Sequence, residues 1–299
     1  MATATKSLQL DRIEFQRVLD KKLSDLPPLP AVVTKVMETV NRPDTSAEDL
    51  NRLISLDQSL SSKLLRIVNS AYYGFPRKIS TVTHAVVILG FNTVRNLVLG
   101  VSAFEMLSRK TGKAGLQRDR FWEHSVAAAL AAGIIMSKHR VRTRALVEEA
   151  FLTGLLHDVG QIFLDCYFPL QYAVTLAYAD KECVQALEAE RLVLGINHAL
   201  VGQRIAEVWN FPPALAGAFG GHHVPIVGSP HFEPAAVAHA ADWLAWETYL
   251  GSTEVQRGPQ LHPDVEAWLA MDGDEMRWAR QELRNQFDAA SDLVHSPSR

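Results

Sequence analysis

The sequence predicts an all-α fold. Apolar residues recur at helical spacing along most of the chain, and strand alternation is nearly absent. Proline and glycine breaks divide it into helix-length pieces, several of them opened by residues of the capping type.

Residues about 1–10 read as disordered. A first helix is expected from about Arg12 to Lys22, and Leu26-Pro-Pro-Leu-Pro30 leads into a second, Ala31 to Val40. Thr45-Ser-Ala-Glu48 has the form of a capping box opening a helix over Ala47–Leu56. Ser59 to Asn69 follows, with Leu60, Leu64, Leu65 and Val68 on one face. Tyr73-Gly-Phe-Pro76 makes a turn, and helices over Val82–Leu89 and Asn92–Leu107 come next.

The polar break at Lys110 to Asp119 changes the texture. Phe121 to Lys138 is alanine-rich and carries His124 near its start. Phe151-Leu-Thr-Gly-Leu-Leu-His157-Asp158-Val-Gly160 is an apolar helical run containing an adjacent histidine and aspartate. A long helix, Pro169 to Glu190, is expected next, then His198 to Trp209. Another helix starts at Pro212-Pro213, where a first-turn proline needs no amide partner, and closes at His222-His223. Pro234 to Leu250 bears Asp242. From about Gly251 the tail holds two amphipathic segments, Val265–Ala270 and Glu275–Phe287, the second capped by Asp272, and Ser296–Arg299 should fray.

The chain has 299 residues, 47% hydrophobic and 21% charged, enough for one large domain or two small ones with a full core. A net charge of -3 offers no global electrostatic reason to bind nucleic acid or an anionic membrane. No apolar stretch has the length needed to span a bilayer, and the N-terminus lacks a signal-type apolar region. The two cysteines, Cys166 and Cys183, form neither a disulfide framework nor a CxxC metal motif. The expectation is a soluble cytoplasmic protein.

His124, His157, Asp158, His198, His222, His223 and Asp242 are metal-ligand types set in apolar stretches, where an unpaired charge is costly. The adjacent pair His157-Asp158 can straddle one centre, with the carboxylate bridging two ions. His222-His223 is a second adjacent pair, beside Gly220-Gly221. Mixed imidazole and carboxylate donors suit iron, manganese, zinc or nickel, as two divalent ions, better than calcium or magnesium. His84, His139, His231, His262 and His295 fall in loops or on polar faces. His239, one turn from Asp242, is a candidate supporting partner.

Several segments together resemble one family. Leu26-Pro-Pro-Leu-Pro30, Ile54-Ser-Leu-Asp57-Gln-Ser-Leu-Ser-Ser-Lys-Leu-Leu-Arg66, Asn69-Ser-Ala-Tyr-Tyr-Gly74, Ala85-Val-Val-Ile-Leu-Gly90 and Gly154-Leu-Leu-His-Asp-Val-Gly160 are similar to motifs of the HDOD family. Its members are relatives of HD-type metal phosphohydrolases used as signalling output domains. The likeness runs from about Leu23 to His223, and Ala240-Ala-Asp242 fits the distal HD aspartate. It implies an N-terminal helical bundle packed on an HD-type helical core. The corresponding segments are 1–22 for the tail and first helix, 23–110 for the bundle, 119–250 for the metal-binding core and 251–299 for a C-terminal helical extension. It also implies a role in bacterial signal transduction, here as a stand-alone module, in a family with many catalytically inert members.

Matched to the HD pattern, His124, His157, Asp158 and Asp242 would be core ligands. His198, His222 and His223 would match the additional ligands of the HD-GYP phosphodiesterases. That branch usually has lysine where this chain has Gln161 and glutamate where it has Val224. Its glutamate one turn before His124 is replaced by Arg120, and no Gly-Tyr-Pro follows. These departures weigh against phosphodiesterase activity.

Two classes of function follow. The first is a regulatory protein whose metal centre stabilises or senses, while the N-terminal bundle meets signalling partners. The alternative is a phosphohydrolase acting on a nucleotide or cyclic dinucleotide, with Asp158 and Gln161 as catalytic candidates and Lys138, His139, Arg140, Arg142 and Arg144 as a phosphate-holding cluster. Asp57, Lys63, Arg66 and Asn69 offer either a polar partner face or a solvated side with one buried Asn hydrogen bond. The C-terminal helices, with Trp268 and Trp278, are expected to pack on the domain or on a second copy as a homodimer.

Overall fold

The computed structural model describes residues 12–69, 73–108, 116–138, 144–250 and 258–289. Within them the secondary structure is helical, without strands, and most of the buried apolar residues join one continuous core. The expected disorder at 1–10, the fraying at 296–299, and His139, Arg140 and Arg142 of the basic cluster lie outside the described residues.

The N-terminal bundle comprises α2 (Ala31–Val40), α3 (Ala47–Ile54), α4 (Gln58–Val68), α5 (Val82–Leu89) and α6 (Phe91–Ser108). Its helices start where side chains satisfy the free backbone amides. Asp57 accepts from Leu60 N at 3.0 Å and Thr81 from His84 N at 3.1 Å. The capping box of α3 is Ser46 with Asp49, one residue later than the Thr45–Glu48 frame. The shift follows from geometry: Asp49, not Glu48, returns to the cap amide, at 3.0 Å. Asn69 closes α4. Its amide donates to Leu65 O and Ile79 O at 2.7 Å each, while its Oδ1 accepts from Ile79 N at 2.7 Å. Asp57 is thus a cap and Asn69 a clamp on the following loop. Lys63 pairs with Glu105 of α6.

α6 joins the two halves of the molecule, packing on α2, α4 and α5 and also on α8 (Arg144–Leu156) and α9 (Val159–Tyr167). α1 (Arg12–Ser24) leaves the bundle and lies on α12 (His198–Val208), with Phe15 against Phe168 at 4.8 Å between ring centroids and Arg204 paired to Asp20 at 2.8 Å.

The second half is built on α7 (Arg118–Lys138), whose alanines at 127–129, 131 and 132 are buried and let α8 and α14 (Phe232–Ala245) approach closely. A Cβ on Gly154 would run into the carbonyl of Ala128, so α8 can reach α7 only with glycine there. α12 packs on α9 and on α13 (Pro213–Gly221), and α13 packs on α14. Fully buried side chains such as Phe163, Tyr172 and Phe219 fill the interior, each contributing roughly 1.5–3 kcal/mol of burial.

Two expected elements differ. The long helix over Pro169–Glu190 is two, α10 (Pro169–Glu182) and α11 (Ala186–Val193), because Cys183 takes a left-handed backbone with φ 52° and turns the chain. His157 and Asp158 lie between α8 and α9 rather than on a helix, with Asp158 at φ -97° and ψ 14°. Beyond α14 come a π-helical turn (Trp246–Leu250), α15 (Pro263–Leu269) and α16 (Gly273–Ala289). Asp272 caps α16, accepting from Asp274 N and Glu275 N at 2.9 Å. α16 packs on α7, where the Lys138 ammonium sits 4.3 Å over the Trp278 ring. Among the described residues, no helix is long and apolar enough to cross a membrane.

Candidate metal centre

Five separate segments deliver the site. α7 carries His124 in its second turn, and the α8–α9 junction carries His157 and Asp158. His198 is the first residue of α12, positioned by Asn197, whose side chain caps the helix through Leu200 N at 3.0 Å. α13 ends into His222 and His223, and Asp242 projects from the apolar face of α14. All seven side chains converge.

Asp158 divides them into two groups. Its Oδ1 lies 3.0 Å from His198 Nε2 and 3.5 Å from His222 Nε2, and His198 Nε2 is 2.8 Å from His223 Nε2. Its Oδ2 lies 3.3 Å from His157 Nε2 and 3.9 Å from His124 Nε2. Asp242 Oδ1 completes that side, 3.1 Å from His124 Nε2 and 3.8 Å from His157 Nε2. The imidazoles of His157, His198 and His222 are at most 2% exposed, while His124, at 11%, lies nearer the surface.

The far side of each ring fixes the tautomer. His157 Nδ1 meets Gly154 O at 2.8 Å, His222 Nδ1 meets Phe219 O at 2.7 Å, and His198 Nδ1 meets Glu190 Oε2 at 2.7 Å. Carbonyl and carboxylate oxygens only accept, so each Nδ1 carries a proton, and in the neutral ring each Nε2 turns a lone pair toward Asp158. Buried Asp158 Oδ1 and His222 Nε2 have no hydrogen-bond partner. Orphaned buried acceptors facing one another are unfavourable without a cation, and this donor set fits one. The groups Asp158–His198–His222–His223, His124–His157–Asp158 and, across the two, His157–His222–Asp242 each bring their ligand atoms within 4.8 Å of one another. The chain therefore has a buried His/Asp cluster able to hold metal.

Electrostatics agree with that chemistry. Burial works against charge on His157, but Asp158 and Asp242 outweigh it and hold the imidazole at about 9. Burial also opposes charge on His198, where Glu190 and Asp158 prevail and hold it well above the usual histidine range. Burial opposes ionisation of Asp158, yet His157 and His198 keep its carboxyl well below the ordinary range. Burial and the neighbouring imidazoles push His223 well down. Protons and a divalent cation compete for the same lone pairs.

Three residues around the cluster shape it. Gln161 donates from Nε2 to Asp158 Oδ2 at 2.7 Å, and its Oε1, 3.3 Å from Tyr172 OH, shares the one phenol proton with Glu190 Oε1 at 3.2 Å. Its amide is thereby turned to Asp158 on one side and Tyr172 on the other. His239, the expected supporting partner, donates from Nδ1 to His222 O at 2.7 Å and accepts at Nε2 from His262 N at 2.9 Å. It holds the backbone of a site residue. Glu190 is the residue the sequence does not single out. It sits among Glu188, Arg191 and alanines on an amphipathic segment, and only the turn at Cys183 swings it inward. The one available signal is its spacing, eight residues before His198.

Several solved structures share this arrangement of helices. The fold is similar to an HDOD-domain protein of unknown function from Geobacter sulfurreducens, with TM-score 0.72 and 23% identity over 95% of this chain and 97% of that one. It is also similar to a candidate signal-transduction protein from Marinobacter aquaeolei VT8, with TM-score 0.73 and 20% identity over 96% of this chain and 66% of that one. A candidate phosphohydrolase from Shewanella amazonensis SB2B matches with TM-score 0.69 and 24% identity, over 92% and 97% of the two chains. At these identities the likeness is one of fold. A curated relative from Treponema pallidum (strain Nichols), itself uncharacterised, is 25% identical over 284 residues, 94% of this chain. The chain spans about half, 53%, of that relative's length. The HDOD domain profile matches residues 26–225, a span that contains every clustered side chain except Asp242. With the helical order, the clustered histidines and aspartates and this match in agreement, the chain belongs to the HDOD domain family.

Proposed function

We propose that the chain is a metal-centred regulatory domain of signal transduction, working in the cytoplasm, whose N-terminal bundle meets partner signalling proteins. One observation carries the metal reading: three rings with committed Nδ1 protons aim their Nε2 atoms at Asp158, whose two oxygens face different donor groups. His198, His222, His223 and Asp158 Oδ1 would hold one divalent ion. His124, His157, Asp242 and Asp158 Oδ2 would hold the other. Such imidazole and carboxylate donors suit iron, manganese, zinc or nickel.

The regulatory reading rests on what faces the centre. Every ion-pair partner of Asp158 and Asp242 among the described residues is a histidine. Phosphoryl chemistry needs a donor or cation for developing charge, and the amide nitrogen of Gln161 is turned to Asp158. Gln161 then orients the bridging carboxylate, and His239 orients His222.

A second reading, phosphoester hydrolysis, is favoured by the two-sided placement of Asp158. When bound, a pair of ions supplies Lewis acidity to a phosphoester and acidifies water. Metal analysis of purified protein, followed by a panel of phosphomonoesters, nucleotides and cyclic dinucleotides with Asp158→Ala as control, separates the two. Bound metal with no turnover across the panel is the expected result. Turnover abolished by Asp158→Ala would overturn the non-catalytic reading, and a chain that takes up no metal would overturn both.

A further inference from the structure

The three buried rings are not held alike. His157 and His222 give their Nδ1 protons to backbone carbonyls three residues earlier, whereas His198 gives its proton to a carboxylate. Glu190 is fully buried. Its Oε2 accepts both the backbone N–H and the Nδ1–H of His198 at 2.7 Å, and its Oε1 accepts Tyr172 OH at 3.2 Å. Its one ion-pair partner among the described residues is His198. A buried carboxylate without lysine or arginine beside it is strongly unfavourable unless positive charge reaches it by another route.

The route available is through the ring. A carboxylate on Nδ1–H makes the opposite nitrogen a stronger donor, and a cation on Nε2 in turn offsets the carboxylate's charge. The contacts close into a loop: Asp158 to Gln161, Gln161 to Tyr172, Tyr172 to Glu190, Glu190 to His198, and His198 back to Asp158 Oδ1. The second group, at Asp158 Oδ2, has no counterpart. There His157 rests on a carbonyl, and buried His124 Nδ1 has no hydrogen-bond partner.

We propose that Glu190 is a positioning residue for metal binding, committing His198 to the ion on the Oδ1 side of Asp158, so that the two sites differ in what sustains them. This rests on the two-ion reading above. The assignment implies that Glu190 governs one ion and leaves the other alone. It also implies that the charge of Glu190 matters beyond its shape.

The test is calorimetric titration of the chelated full chain with Zn²⁺ alone and with Mn²⁺ alone, with elemental analysis of bound metal. Glu190→Gln keeps the size and hydrogen-bonding reach of the side chain and removes its charge. The wild type is expected to bind two ions. Glu190→Gln is expected to weaken one of them by about 10- to 100-fold while the other stays within about twofold. A Co²⁺-loaded sample reads the same event spectroscopically, through altered absorption from one of its two ions. Two ions bound by Glu190→Gln at wild-type affinity overturn the assignment of Glu190 and leave the metal reading standing, and so does equal weakening of both. A wild type that binds no ion overturns the metal reading and the assignment with it. Should Glu190→Gln not fold, Tyr172→Phe carries the test by deleting the phenol proton that Glu190 shares with Gln161, with Gln161→Ala as the control for the Gln161 side. A smaller loss confined to one ion supports the assignment, and unchanged binding of both overturns it.

Discussion

The Nε2 atoms of His198 and His223 stand 2.8 Å apart although their side chains come from opposite ends of different helices. His198 has already given its Nδ1 proton to Glu190. Two ring nitrogens at that separation need a proton or a cation between or beside them, and Asp158 Oδ1 lies 3.0 Å from the first.

Metal should therefore stabilise the fold. A ligand bound to the native state alone, at 100 times its Kd, adds about 2.7 kcal/mol per site. For a chain of this size that raises Tm by roughly 5 °C per occupied site. Thermal unfolding followed by circular dichroism, in chelator and in Mn²⁺ or Zn²⁺, reads the difference. Coincident melting curves would contradict the convergence of lone pairs on Asp158.

The two aspartates should not be equivalent. Asp158 reaches both donor groups, through Oδ1 and Oδ2, whereas the ion-pair contacts of Asp242 among the described residues are to His124 and His157, with His222 within 4.8 Å. Asp158→Ala is expected to abolish binding of both ions, and Asp242→Ala to remove one. Metal-to-protein ratios by elemental analysis measure this directly, with circular dichroism confirming that each variant is folded. One ion retained by Asp158→Ala would show that the carboxylate does not bridge.

The pH dependence has a definite sign. In chelated protein, with burial opposing and Asp158 and Asp242 prevailing, His157 sits at about 9, above the 6.5 of a free histidine. The folded chain then holds that proton more tightly than the unfolded chain. Its stabilising contribution is complete below about 6.5 and is lost as pH rises through about 9. Depressed Asp158 and Asp242 act oppositely, stabilising above the ordinary carboxylate range and losing that effect on acidification. Above about pH 7.5 and up to 9, beyond the range in which His222, His223 and His239, held down by burial, favour the fold as pH rises, the urea midpoint of chelated protein should fall. Over the same interval the gain on adding metal should grow, because the lone pairs are freed. A flat midpoint for chelated protein would contradict the His157 environment.

Much of this was legible before any coordinates. Caps and prolines announce helix ends locally, so Asp272 and Pro212-Pro213 read correctly, and a carboxylate inside Ala240-Ala-Asp242 stands out against its apolar neighbours. What was not legible depends on tertiary context. Nothing in Ala179–Gln185 signals that a cysteine, rather than a glycine, will take φ 52° and split a helix. Without that turn Glu190 reads as one more solvated charge beside Glu188. Gln161 is a catalytic candidate through the resemblance, standing where the HD-GYP branch has lysine, but its contact with the phenol of Tyr172, eleven residues away, depends on tertiary placement. Asn69 reads first as a buried hydrogen-bonding residue and second as part of a partner face, and its clamp on the loop shows only once Ile79 is placed against it.

The site also depends on a backbone approach that a single methyl should break. A Cβ on Gly160 would run into the carbonyl of His198 and come within 2.9 Å of Gly202 N, so α9 and α12 touch backbone to backbone where Asp158 meets His198. Backbone cannot yield as a flexible side chain does. Gly160→Ala should therefore separate the helices, at about 3 kcal/mol or more of stability, and draw His198 away from Asp158 Oδ1. Gly202→Ala is the control across the same interface. Its Cβ would meet Val159 Cγ1 at 3.3 Å, a contact that a small side-chain shift relieves, and the expected cost is under about 1.5 kcal/mol. Urea unfolding and Zn²⁺ titration of the two variants give the comparison. Gly160→Ala should lose both stability and affinity for the ion on the Oδ1 side, whereas Gly202→Ala should keep that affinity. Equal behaviour of the two would mean that the approach of α9 to α12 does not hold His198 in place.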